Sequence, residues 1–147
     1  MGLDSYLYKK KYINRSSLTN INENNITLEG INIPIKDLCY LTYECLYWRK
    51  ENHIHQFFVE NCQNGVDDCR PSYVARETLE DLLDRCKKIT ADNSLSEELL
   101  PVQPGFFFGS TEYDSFYFDS IICLTLQLET LLNETDDSWE FEYHSSW

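Results

Sequence analysis

Apolar and polar residues alternate over 3–9 (Leu-Asp-Ser-Tyr-Leu-Tyr-Lys) and again over 139–147 (Trp-Glu-Phe-Glu-Tyr-His-Ser-Ser-Trp). That period of two predicts a half-buried strand at each place. Residues 26–33 (Ile-Thr-Leu-Glu-Gly-Ile-Asn-Ile) predict a short strand or a hairpin turning at Glu29 and Gly30. Residues 10–25 read as a connecting loop, and 38–47 as a β-rich stretch leading into a helix. Ile54, Phe57, Phe58 and Cys62 fall on one helical face within 49–63. The run Gly65-Val66-Asp67-Asp68-Cys69 then makes a turn, and 72–75 a short strand. Leu79, Leu82, Leu83 and Cys86 define a second helix over 76–90, whose Lys87 and Lys88 suit the negative end of the helix dipole. Ser94 with Glu97 fits a capping box for a short helix ending near Pro101. A final long helix is expected from Thr111 to Asn133, with Phe116, Ile121, Leu124, Leu128 and Leu131 or Leu132 inward. The sum is an α+β fold, a small and mainly antiparallel sheet packed against two or three helices.

Length places all of this in a single domain, 1–147. No apolar run approaches the length of a membrane span, and the first residues lack the pattern of a signal peptide. The six cysteines form no CxxC pair and are expected to be reduced and mostly buried. A zinc site from Cys62, Cys69, His53 and His55 is the less favoured alternative, so no metal or cofactor is assigned.

Charge changes the picture more than composition does. No lysine or arginine follows Lys88, so −12 of the net −13 belongs to residues 89–147. One-sided charge of this kind repels nucleic acid and steers basic partners. Glu112, Asp114, Asp119, Asp136, Asp137, Glu140 and Glu142 are the candidate partner-binding carboxylates. Tyr113, Tyr117, Tyr143 and Trp139 are interleaved with them. Carboxylates among aromatics can imitate phosphates and bases; the plainer reading is a solvated face that keeps the protein soluble.

No complete catalytic signature is present, and no catalytic residue is assigned. The densest polar stretch is 48–55, and it supplies the rival site: Trp48, Arg49, Lys50, Asn52 and His55, joined by Asp67 and Asp68. Arginine and lysine in a first helical turn oppose the dipole unless an anion or carboxylate offsets them, so an anion clamp or an internal ion pair is expected there. His55 is either a general base or a satisfied structural histidine. Phe106, Phe107 and Phe108 read as core or as a protein contact rather than a base-stacking platform. Trp147 is expected to be packed down or used in contact.

Five pieces in order carry a resemblance. They are Met1-Gly2-Leu3-Asp4-Ser5-Tyr6-Leu7; Tyr47-Trp48-Arg49-Lys50 with Asn52, Ile54 and His55; and Gly65-Val66-Asp67-Asp68-Cys69. Leu99-Leu100-Pro101 with Gly105-Phe106-Phe107-Phe108-Gly109 and Tyr113-Asp114, then Tyr143 to Ser145-Ser146-Trp147, complete them. Together they resemble a family of small, uncharacterised proteins of tailed bacteriophages and prophages. The resemblance supplies no activity and no catalytic residues. It implies an accessory protein acting in the cytoplasm of a bacterial host, and an antagonist of host defence. The expected partner is a basic, nucleic-acid-binding protein such as a CRISPR–Cas effector, with no direct contact to nucleic acid or membrane. The alternative is a protein that binds or sequesters a nucleotide or other anion around Arg49 to His55.

Overall fold

A computed structural model describes residues 2–14, 25–28 and 30–147. The two alternating segments become neighbours at the middle of one sheet. Strand β1 (Asp4–Tyr12) pairs antiparallel with β4 (Tyr40–Arg49) on one side and with β6 (Glu140–Ser146) on the other. The short β5 (Ser72–Val74) pairs antiparallel with β6, so the order is β4-β1-β6-β5. Strands β2 (Asn25–Leu28) and β3 (Ile31–Pro34) form a separate hairpin, with Gly30 at φ +81° in the turn. The helices are α1 (Asn52–Cys62), α2 (Arg76–Ala91), the single turn α3 (Ser96–Leu99) and α4 (Ser115–Glu134). The fold is α+β, a small antiparallel sheet with helices, as the patterning predicts. Among the described residues no helix is long and apolar enough to cross a membrane.

Alternation decides which side of the sheet is covered. Leu7, Trp48, Val74, Phe141 and Tyr143 point inward and join Ile54, Phe58, Leu79, Leu82, Ile121, Leu124 and Leu128 in one core. A register shift keeps β4 in phase: Leu7 pairs with Leu46 but Tyr8 pairs with Glu44, so Cys45 is the extra residue of a bulge. Without it Glu44 and Leu46 would fall on the same side. With it Leu46 packs against the core while Glu44 is exposed.

Several expectations are corrected. Phe116 is 80% exposed and Tyr117 is buried in its place. The helix starts later than Thr111 because the Asp114 carboxylate accepts the backbone N–H groups of Phe116 (3.1 Å) and Tyr117 (3.2 Å), an N-cap. Asp92 rather than a Ser94–Glu97 box caps the next short helical segment, accepting from Ser94 N at 3.0 Å. All six cysteines are free, but only Cys86 is buried, and Cys39 and Cys123 are exposed. Strand β1 runs on to Tyr12, and residues 15–24 of the expected loop lie outside the described residues.

The end of α4 shows how the charge asymmetry is handled. Nothing basic lies in the last turn of this helix to meet its open carbonyls. Arg76, at the start of α2, does so from across the fold: Nη1 donates to Thr135 O and Nη2 to Leu132 O, each at 2.7 Å. Its Nε lies 3.3 Å from Glu80 and 3.7 Å from Asp137. One guanidinium therefore closes the C-terminus of α4 and ties it to α2. Arg76→Gln is expected to lower stability by about 1–3 kcal/mol, since two carbonyls lose a charged donor. Urea denaturation followed by far-UV circular dichroism checks this as a fall in midpoint at unchanged slope.

Candidate functional site

The rival site of the sequence reading is divided by the fold. Trp48 is core: it is 6% exposed, its ring lies 6.1 Å from Phe58, and Nε1 donates to Gln127 at 3.1 Å. Arg49 ends β4 and reaches Asp4 at 3.6 Å. Lys50 sits in a left-handed turn (φ 60°) before α1, so neither cation is in the first helical turn. Asn52 is spent on a loop: Nδ2 donates to Phe108 O (3.2 Å) and Ser110 O (2.8 Å), and Oδ1 accepts from Gln103 N (2.9 Å). That loop must carry glycine at 109, because a Cβ there would sit 2.8 Å from Lys50 O. Asp68 is exposed beside Arg70, at 3.4 Å.

His55 and Asp67 do meet, inside the protein. His55 is fully buried, with Nε2 2.8 Å from Asp67 Oδ2 and Nδ1 2.7 Å from Tyr143 Oη. A carboxylate only accepts, so Nε2 carries a proton, and in the neutral ring Nδ1 accepts from the tyrosine hydroxyl. Tyr143 Oη is 3.0 Å from Ser5 Oγ, which extends the chain to β1. Burial pushes the Tyr143 phenol well above its ordinary range, so it stays protonated. Trp147 Nε1 donates to the second Asp67 oxygen at 2.9 Å, and Phe108 packs edge-on against His55 at 5.3 Å. This chain of polar groups is satisfied and closed to solvent at its histidine. It has the character of a clasp joining α1, the 65–69 turn, β6 and β1. Tyr143 was grouped by sequence with the acidic surface, and together with Tyr117 it is buried instead.

A second region is an open cleft of ≈ 320 Å³ over the start of α1, lined by Arg49, Lys50, Glu51, His53, Glu112 and Asp114 among others. His53, part of the polar stretch 48–55, forms its floor, 3% exposed. Its Nε2 lies 3.0 Å from Ser120 Oγ and 3.8 Å from Glu51 Oε2. Both partners approach the same ring nitrogen, so the three do not form a relay of the serine-hydrolase kind. Three carboxylates face two cations in the cleft, which disfavours an anionic ligand. Among the described residues no cluster of three histidine, cysteine or acidic side chains is placed to hold a metal.

The candidate acidic residues fall into two sets. Glu112, Asp114 and Asp119 lie at the N-terminal end of α4. Asp136, Asp137, Glu140 and Glu142 lie beyond its other end, about 30 Å away for a helix of 20 residues. In the second set Asp136 is bonded to its own turn at Ser138, while Glu140 and Glu142 stand on β6 facing away from the core. Their side of the sheet carries Tyr6 and Tyr8 of β1, Tyr40 and Tyr47 of β4, and Tyr73 of β5. Tyr12, Tyr40, Tyr47 and Tyr73 are 64%, 55%, 44% and 66% exposed. Tyr6 packs against Tyr47 (5.3 Å), Tyr8 (6.1 Å) and His144 (6.1 Å). None of these tyrosines belongs to the core, and no described helix covers them. Of the aromatic triple, Phe108 is buried while Phe106 and Phe107 are 84% and 45% exposed. No protein-family model, no curated protein and no solved structure matches this chain.

Burial holds the His53 imidazole at a pKa of about 4, against 6.5 when exposed. The unfolded chain therefore binds one more proton than the folded chain between these values, and stability falls as pH drops through that window. The full effect is about 3 kcal/mol, reached near pH 4. Burial raises the neighbouring Glu51 carboxyl, which opposes part of that loss. Denaturation midpoints measured from pH 7 to pH 4 are expected to fall less steeply for His53→Gln than for the native chain.

Proposed function

We propose that this chain is an interaction protein that binds a basic partner through the uncovered face of its sheet. One observation carries the reading: a face of the four-stranded sheet displays tyrosines and carboxylates with no described helix over it. Contiguous exposed aromatic surface rimmed by polar residues marks sites of protein interaction. Tyrosine is also among the residues that dominate binding energy at protein interfaces. Strands of 10, 9, 7 and 3 residues, about 4.8 Å apart and rising about 3.4 Å per residue, span roughly 470 Å². With the adjoining acidic turn, that approaches the ≈ 800 Å² per partner of an ordinary stable interface.

Charge selects the class of partner. At a net −13 the chain repels a phosphate backbone and attracts a cationic surface. A groove that normally holds nucleic acid offers both cations and stacking surfaces. Tyrosine rings beside carboxylates present the matching pair. The resemblance to accessory proteins of tailed phages supplies a setting, in which the partner is a nucleic-acid-handling defence protein of a bacterial host and the chain is its antagonist. Nothing in the Arg49–His53 cleft competes with this reading, because its own carboxylates occupy the ground an anion would need.

Affinity capture from host lysate tests the proposal. The retained protein is expected to be a nucleic-acid binder, released by added DNA or RNA. Its retention should also fall at least about tenfold as salt shortens the screening length from ~10 Å to ~3 Å. Retention indifferent to both salt and competing nucleic acid would overturn the reading.

A further inference from the structure

We propose that a shallow depression on the open sheet face receives an arginine side chain of a protein partner; this rests on the interaction role argued above and names where and how contact is made. The depression measures ≈ 390 Å³, with Tyr40 and Tyr73 at its margins and Lys10, Glu140 and Glu142 between them. Around the end of β5 it adjoins a second one of ≈ 230 Å³ that shares Tyr73 and Glu140 and adds Glu77 and Asp137. Asp137 is 94% exposed at its side chain.

The occupant follows from which charges are already met. Four carboxylates lie on this face: Asp4, Glu44, Glu140 and Glu142. Arg49 pairs with Asp4 at 3.6 Å and Lys10 with Glu142 at 2.6 Å. Among the described residues, Glu44 and Glu140 have no cation within 4.0 Å. A cation entering beside Glu140 therefore finds an unneutralised carboxylate and an exposed aromatic ring together. A guanidinium suits that pair better than an ammonium, because its flat faces stack on a ring while its edge donates two parallel hydrogen bonds to a carboxylate. The protein uses related contacts elsewhere: the Lys9 and Lys11 ammonium groups lie 5.0 and 5.4 Å from the Trp139 ring, and the Arg85 guanidinium 5.1 Å from the Phe57 ring. Glu77 and Asp137, one step along the groove, offer a further basic side chain of the same segment a place to lie.

The test uses a short peptide of alternating arginine and glycine, and the same peptide with citrulline, which keeps the shape and removes the charge. Binding is read by isothermal titration calorimetry. The native chain should bind the arginine peptide about tenfold or more tightly than the citrulline peptide. Tyr73→Ala and Glu140→Gln should each weaken it about fivefold. Both positions are exposed, so these variants fold. Glu97→Gln and Glu98→Gln, exposed on the single turn α3, should leave the affinity unchanged. Equal binding of the two peptides overturns the proposal. So does native affinity in Tyr73→Ala and Glu140→Gln, or an equal loss in the distant variants. If lysate capture still responds to salt and nucleic acid in any of those cases, the interaction role stands and only this contact is removed; if capture fails as well, both fall.

Discussion

The core of this protein is crossed by one line of polar atoms: Asp67, His55, Tyr143 and Ser5. A buried imidazole and a buried phenol are tolerated only because each satisfies the other, and leaving either without its partner costs about 1–3 kcal/mol. The line therefore fixes relationships that apolar packing alone would leave loose. It sets the rotation of α1 about its axis, the position of the 65–69 turn, and the register of β6 beside β1. Phe58 stacks on the Tyr143 ring at 4.3 Å and carries the same constraint into the apolar core. The open face of the sheet is the reverse side of this construction. Ser5, Leu7, Phe141 and Tyr143 turn inward, so Tyr6, Tyr8, Glu140 and Glu142 have to turn outward.

The charge asymmetry of the sequence does not survive as two separate halves of the molecule. Strand β6 lies between β1 and β5, and α4 packs on α2, so the acidic segment is threaded through the near-neutral one that holds every lysine and arginine. Lys10 meets Glu142, Lys87 meets Glu129 at 2.7 Å, and Arg76 serves the C-terminus of α4. These cations are used where the fold needs them. What stays unneutralised is set by topology rather than by position in the chain, and it includes Glu140 beside a row of tyrosines.

Much of the fold was legible because its signals are local. The two alternating strands, the hairpin at Gly30, the turn at Gly65 and the core face of α2 all follow from short-range pattern. Phe116 was misjudged by weighing hydrophobicity above phase: 117, 121, 124, 128 and 131 keep helical spacing, and 116 does not. The Cys45 bulge has no local mark, since it matters only against the partner strand. The clasp was illegible for a related reason. His55 and Tyr143 are 88 residues apart, and sequence alone shows a histidine without its partner. For the candidate site, the β6 carboxylates Glu140 and Glu142 that the sequence singles out do face away from the core, whereas Tyr117 and Tyr143, interleaved with the acidic residues in sequence, are buried. Alternation shows that β1 has two faces, and only the packed structure shows which face the helices leave bare.

A sheet with one side in the core and one side that no described helix covers is the physical basis of the proposed interaction role. The most direct measurement is NMR of the tyrosine ring signals in the free chain and in complex with its captured partner. The account predicts that Tyr8, Tyr40 and Tyr73 shift while Tyr117 and Tyr143 hold still. Unchanged signals across the sheet face, with shifts confined to residues around Lys50 and His53, would contradict it.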